Sequence, residues 1–356
     1  MKARVKPGHD GATVPLTRSA KLPIDVHAHY VPPQLIAAIK SKGSVIGVKL
    51  TPADAGKETL GFDYGFKVRP FFPRLIEPVT ERHKWMDEQG IDHQIVGTWP
   101  DIFGYGLPRE QCIAWHRMLN DTLGEWTADN SQKFSWISSV PLVDAKAAGQ
   151  ELERSAGIGA IGAIISSNIE NVNLGEMALD PFWRKAEALG LPILIHPVNV
   201  APAPRTGKFA LAQIALYTYD TTLGVGSLLM SGVMDRFPKL KLLWSHGGGT
   251  WPYLAGRFDV MHKRMDKASQ ANVAAKTPSA YATQMSYDSI VHAPKALRFL
   301  IDVAGIDTVL LGTDYSFPPR RDGAARLAKG RRPFEIRQRC DLRRQPPPPV
   351  RADEMT

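Results

Sequence analysis

Short apolar runs alternate with amphipathic segments along most of this 356-residue chain. PIDVHAHY (23–30) reads as a strand. VTERHKWMDEQG (79–90) reads as an amphipathic helix stopped by Gly90. IDHQIVGT (91–98) is the next strand, and 108–130 has a helical period with Leu119, Leu123 and Trp126 on one side. The alternation continues through strands at 134–140, 160–167, 191–197, 240–249, 284–291 and 308–315. Helices are expected at 144–156, 180–190, 220–234, 251–265 and 294–305. Between 31 and 78 the chain reads only as a polar, glycine-containing stretch.

Eight Val-, Ile- and Leu-rich strands separated by helices predict a parallel sheet buried on both faces. Closure into a (β/α)8 TIM barrel is the expected fold, with an open doubly wound sheet as the runner-up. The expected organisation is a leader at 1–22, a barrel domain at 23–319 and an atypical, disordered tail at 320–356.

Charge changes the picture once it is located. The net +9 comes from the ends: the leader has five Lys/Arg against one Asp, and the tail eleven Lys/Arg against five Asp/Glu. The body is left near neutral, at −1, so no nucleic-acid-binding face is expected on it. No apolar run approaches the roughly 18 residues of a membrane span. Two cysteines, Cys112 and Cys340, provide no disulfide framework and fit a reducing compartment, so a cytoplasmic protein is expected.

Chemistry gathers at the strand ends, the face on which barrels of this type carry their active sites. The first strand ends in His27-Ala28-His29, the fifth in His196-Pro197, the sixth in His246 and three glycines, and the eighth in Gly312-Thr313-Asp314. Residues two apart on a strand share a face, so His27 and His29 both point into the mouth. His27, His29, His196 and Asp314 would supply three nitrogens and one oxygen. That set suits zinc, and also cobalt, manganese or iron(II). His246 is then left free as a general acid or base. Asp25 shares the face of His27 and His29. It is read either as a partner of those rings or as a plain buried, hydrogen-bonded carboxylate.

Two motifs are decoys. The GxGxxG at 157–162 follows a helix and opens a strand, the reverse of a dinucleotide site. The His-Gly-Gly-Gly run has no accompanying G-x-S-x-G nucleophile elbow. The remaining histidines, His9, His83, His93, His116, His262 and His292, are read as structural or solvated.

With these residues assembled, the chain resembles the metal-dependent amidohydrolase superfamily, and most of all the aminocarboxymuconate-semialdehyde decarboxylase branch with its related aromatic-acid decarboxylases. The resemblance rests on Asp25-Val26-His27-Ala28-His29, Ile195-His196-Pro197, and the runs 235–259 and 286–318. It implies a (β/α)8 barrel with one catalytic metal, usually zinc, held by His27, His29, His196 and Asp314, with His246 and Asp314 catalytic. Ser166-Ser167 stand where a bridging lysine would end the fourth strand, in keeping with a single metal. The resemblance further implies an arginine after the first strand that holds the substrate carboxylate. Arg69 and Arg74 are the candidates, with Trp99 as an aromatic wall. Val198 stands where these decarboxylases often have Trp, and the tail does not continue as an eighth helix. The expected activity is zinc-dependent decarboxylation of a small aromatic or unsaturated carboxylic acid. Hydrolysis of an amide or lactone, or hydration, is the alternative, and the resemblance makes a homodimer plausible.

Overall fold

The computed structural model describes residues 23–53, 57–198, 205–265 and 273–317. The leader, the basic tail, His9, Cys340 and part of the loop after the fifth strand lie outside them.

Among the described residues, eight parallel strands form a closed barrel. β1 (Ile24–His29) pairs with β2 (His93–Gly97), and β2 with the first part of β3 (Phe134–Trp136). β3 resumes at Ser138–Ser139 and there pairs with β4 (Ala163–Ser166). β5 (Pro192–His196), β6 (Lys241–Trp244), β7 (Ser286–Asp288) and β8 (Val309–Leu310) follow in order. The seam between β8 and β1 is closed by backbone bonds from Val26 N–H to Leu311 O and from His29 N–H to Tyr315 O, both 2.9 Å. Consecutive residues such as Ile193, Leu194 and Ile195 are all buried, as a sheet covered on both faces requires.

The helices follow their apolar stripes. Arg109–Asp129 buries Leu119, Leu123 and Trp126. Ala145–Gly157 starts at Asp144, whose carboxylate accepts the N–H groups of Lys146 and Ala147. Val79–Gln89 ends at Gly90, which takes the left-handed conformation that favours glycine there, φ 68°. No helix among the described residues is long and apolar enough to cross a membrane.

Two segments differ from expectation. The stretch after β1 holds a helix, Pro33–Lys42, and an antiparallel hairpin of Val48–Pro52 with Glu58–Phe62. The helix buries only Leu35 and Ile39, too few positions for a 3.6-residue period to stand out. After β5 the helix begins earlier than 220, as a π-helical turn, Ala212–Leu216, running into Tyr217–Met230. Gly232, with φ 69°, then separates it from the short Val233–Arg236.

Candidate metal centre and active site

The carboxyl ends of β1, β5 and β8 bring His27, His29, His196 and Asp314 together. One ligand atom from each lies within 4.8 Å of the others. His27 Nε2 and His29 Nε2 are 3.1 Å apart, and Asp314 Oδ1 is 3.1 Å from His29 Nε2 and 3.6 Å from His27 Nε2. The three imidazoles are buried.

Proton placement follows from the outer side of each ring. His27 donates from Nδ1 to Asp288 Oδ2 at 2.7 Å. His29 donates from Nδ1 to Thr98 O at 3.2 Å, and His196 from Nδ1 to Pro197 O at 2.8 Å. Carbonyl and carboxylate oxygens only accept, so each Nδ1 carries its proton and each Nε2 points a lone pair inward. His196 Nε2 and Asp314 Oδ1 are buried without a hydrogen-bond partner among the described residues. Three lone pairs and a carboxylate facing one another need a cation between them. The donor set of three nitrogens and one oxygen fits a divalent metal ion.

Burial and neighbouring charges set the electrostatics of the four groups. Burial, reinforced by the neighbouring imidazoles of His246, His29 and His27, holds His196 well below its ordinary titration range. Burial likewise lowers His29. Burial works to lower His27 too, but the bond to Asp288 and the charge of Asp314 outweigh it and raise the ring. Burial pushes Asp314 up, yet the facing imidazoles of His246, His29 and His27 keep it well below the usual carboxylate range.

His246 follows β6, with Nε2 3.5 Å from Asp314 Oδ2. Both residues have left-handed backbones, φ 52° for His246 and φ 54° for Asp314, a strain that marks functional positions when the surroundings enforce it. Asp314 is held by its N–H to His27 O at 2.8 Å. Gly312 leaves no room for a side chain: a Cβ there would lie 2.8 Å from Asp288 Cβ and 3.2 Å from His27 Cβ. β8 can approach the site only because that residue is glycine.

The two arginines separate. Arg69 donates from Nε and a terminal nitrogen to Asp101 Oδ2, each at 2.9 Å. Its guanidinium lies over Phe72, Trp99 and Phe317, at 4.7, 5.7 and 5.5 Å from the ring centres. Phe317 in turn meets His29 edge-on at 6.2 Å, so Arg69 is one ring away from the ligand set. Arg74 instead faces Tyr315, at 5.3 Å, whose ring packs on Trp85 of the helix outside β1. Trp99 is fully buried between Arg69 and the Phe71–Phe72 pair.

Asp25 does not touch the rings. Its Oδ1 accepts the N–H groups of His27 and Thr313, at 3.1 and 3.0 Å. Its Oδ2 accepts from Gln94 Nε2 at 2.7 Å and Thr313 Oγ1 at 2.6 Å. Of its two sequence readings, the buried hydrogen-bonded one holds. The carboxylate that holds the outer Nδ1–H of a ligand ring is Asp288, a residue that sequence reasoning passed over. Its one signal was an acidic residue ending an apolar strand at the carboxyl rim. Asp101, the anchor of Arg69, gave no signal. Among the other histidines, His116 meets Ser139 Oγ at 2.9 Å and His262 meets Ala274 O at 2.8 Å, both away from the ligand set.

Comparison with known proteins agrees with this geometry. The amidohydrolase family model matches residues 24–352. The 2-amino-3-carboxymuconate-6-semialdehyde decarboxylase of Dictyostelium discoideum is 29% identical over 299 residues, covering 83% of this chain and 82% of its own length. The gamma-resorcylate decarboxylase of Rhizobium radiobacter is 25% identical over 287 residues, covering 73% of this chain and 84% of its own. Among solved structures, a dihydroxybenzoic acid decarboxylase from Polaromonas, with bound manganese and the inhibitor 2-nitroresorcinol, shares the fold at a TM-score of 0.68 and 23% identity. That match covers 86% of this chain and 90% of the other. The chain belongs to the amidohydrolase family, in the branch whose named relatives are decarboxylases, that is, carbon–carbon lyases.

Proposed function

We propose that the protein is a metal-dependent decarboxylase of a small aromatic or unsaturated carboxylic acid. The observation that carries this reading is the convergence of three inward imidazole lone pairs and the Asp314 carboxylate, with His246 beside them, at the carboxyl rim of the barrel. His27, His29, His196 and Asp314 would hold the ion, and zinc is the proposed occupant for such a donor set. When bound, a divalent ion would supply a positive charge that orients the substrate carboxylate or a neighbouring oxygen.

The chain's own residues have the remaining tasks. Arg69 binds the substrate carboxylate through its fork of donors, steered by Asp101. Trp99, Phe72 and Phe317 present aromatic surface around that guanidinium. In the reaction the bond between the substrate carbon and its carboxyl carbon breaks. The electron pair stays on the substrate carbon and carbon dioxide leaves. His246 delivers the replacing proton, and Asp314, at 3.5 Å, holds the imidazole in place.

The test is carbon dioxide release by the metal-loaded enzyme from a panel of carboxylated phenols and muconate semialdehydes, with metal analysis of the same sample. The expected result is release of carbon dioxide with no hydrolysed bond. His246→Ala should lower kcat by about 10²–10⁴-fold at unchanged metal content. Hydrolysis products without carbon dioxide, or full activity in that variant, would overturn the reading.

A further inference from the structure

We infer that Asp288 is the positioning residue that joins the metal-binding half of the site to its acid–base half. The inference deepens the metal-dependent reading and rests on it. Asp288 ends β7 and is fully buried. Three of its four hydrogen bonds are divided between the two halves, and the fourth comes from its own segment. Oδ2 accepts the Nδ1–H of His27 at 2.7 Å and the backbone N–H of His246 at 2.9 Å. Oδ1 accepts the N–H groups of Gly247 at 2.9 Å and Ile290 at 3.0 Å.

Each bond has a consequence. His27 presents a bare Nε2 to the ligand cluster only while an acceptor holds its proton on Nδ1. The turn after β6 is a run of left-handed residues, with φ 52° at His246 and 61°, 77° and 65° at the three glycines that follow. Two amides of this turn, those of His246 and Gly247, converge on the one carboxylate, as in a backbone anion nest. The anion thus holds a non-glycine residue, the proposed proton donor, in a conformation it would otherwise avoid. The carboxylate has little freedom to shift, because β8 packs against it at Gly312, where even a methyl group would clash at 2.8 Å.

Only a carboxylate satisfies all four donors, since both of its oxygens accept and neither donates. Asparagine offers one acceptor atom and one donor group. With its oxygen toward His27 and His246, its NH₂ faces the N–H groups of Gly247 and Ile290. Turned over, its NH₂ faces His27, whose proton must then move to Nε2, where it blocks ligation.

Asp288→Asn tests this with two readouts besides activity. Zinc affinity is measured by chelator competition. The tautomer of His27 is measured by nitrogen NMR on metal-free protein in mildly alkaline buffer. The expected result is affinity weakened by about 10–100-fold and a shift of the His27 proton toward Nε2. At saturating metal, kcat should fall with little change in KM. Unchanged zinc affinity with His27 still protonated on Nδ1 would overturn the inference. If the variant does not fold, the wild-type spectrum decides: a proton on Nδ1 of His27 supports the inference, and a proton on Nε2 overturns it. A wild-type protein that takes up no metal would instead defeat the proposed function, while the tautomer measurement still reads the role of Asp288.

Discussion

Asp25 and Asp288 are both fully buried aspartates beside His27, and they behave in opposite ways. Asp25 sits on β1 among backbone, amide and hydroxyl donors, none of them a ring. Burial dominates there and raises its pKa to about 6, with Thr313, Gln94 and the His27 N–H pulling it back only in part. Asp288 sits on β7, where burial also pushes upward. The His27 ring, the charge of His246 and the Gly247 N–H outweigh it and keep the carboxyl below its ordinary value. The difference shows what a facing imidazole does. Neutral donors soften the cost of burying a carboxylate, whereas an ionisable ring reverses it.

Asp25 is also one end of a buried chain that ties the barrel seam together. Gln94 donates to Asp25 and accepts from Arg82, which is fully buried. Arg82 also donates to His29 O at 2.6 Å and Ser316 Oγ at 3.1 Å, and lies over the rings of Tyr30 and Tyr315, each at 4.7 Å. The Asp25 side therefore belongs to the packed seam, and the Asp288 side faces the candidate ligand cluster.

Breaking the seam side should have the largest effect. Arg82→Met should cost about 3–5 kcal/mol in urea unfolding of metal-free protein, the range for removing one partner of a buried charged network. A loss under about 1 kcal/mol would show that the chain is not structural.

The next effect is a pH dependence of opposite sign at the two aspartates. Asp25, raised in the fold, adds stability that is fully present below its ordinary 3.8 and is lost as pH rises through about 6, a swing of about 3 kcal/mol. The stability gap between wild type and Asp25→Asn should therefore shift against the wild type across that window. Asp288, lowered in the fold, adds stability that is present above its ordinary value and is lost as pH falls below it. For Asp288→Asn the gap should widen in favour of wild type as pH climbs out of the acid range. Parallel curves for the two variants would erase the distinction.

The smallest effect sharpens the comparison further. Zinc at 100 times its Kd should stabilise wild-type protein by about 2.7 kcal/mol relative to chelated protein. Thermal melts of Asp25→Asn should keep that increment. At the same zinc concentration Asp288→Asn, with affinity weakened about 10–100-fold, should keep only about 0.4–1.4 kcal/mol of it.

Much of the site was legible because strand geometry is local. A period of two places His27 and His29 on one face, and apolar strands ending in His196, His246 and Asp314 point all of them to one rim. The barrel was legible for the same reason, through eight apolar runs separated by helical periods. The helix Pro33–Lys42 was not, because two buried positions make no visible stripe. Nor were the partners of the site residues. Asp288 meets His27 across 261 residues of chain, and no spacing rule spans that distance.

The sequence by itself determined which side chains reach the rim, since alternation along a strand and the order of strands are properties of neighbouring residues. Only the tertiary structure decided which aspartate holds Nδ1 of His27 and which arginine packs toward His29. Arg69 and Arg74 lie in one short loop, yet Arg69 lies over Phe317 beside His29, and Arg74 turns to Tyr315 outside β1. Barrel closure made those choices, because it sets β8 against β1 and β7 beneath His27 and so fixes which buried charge each group must face.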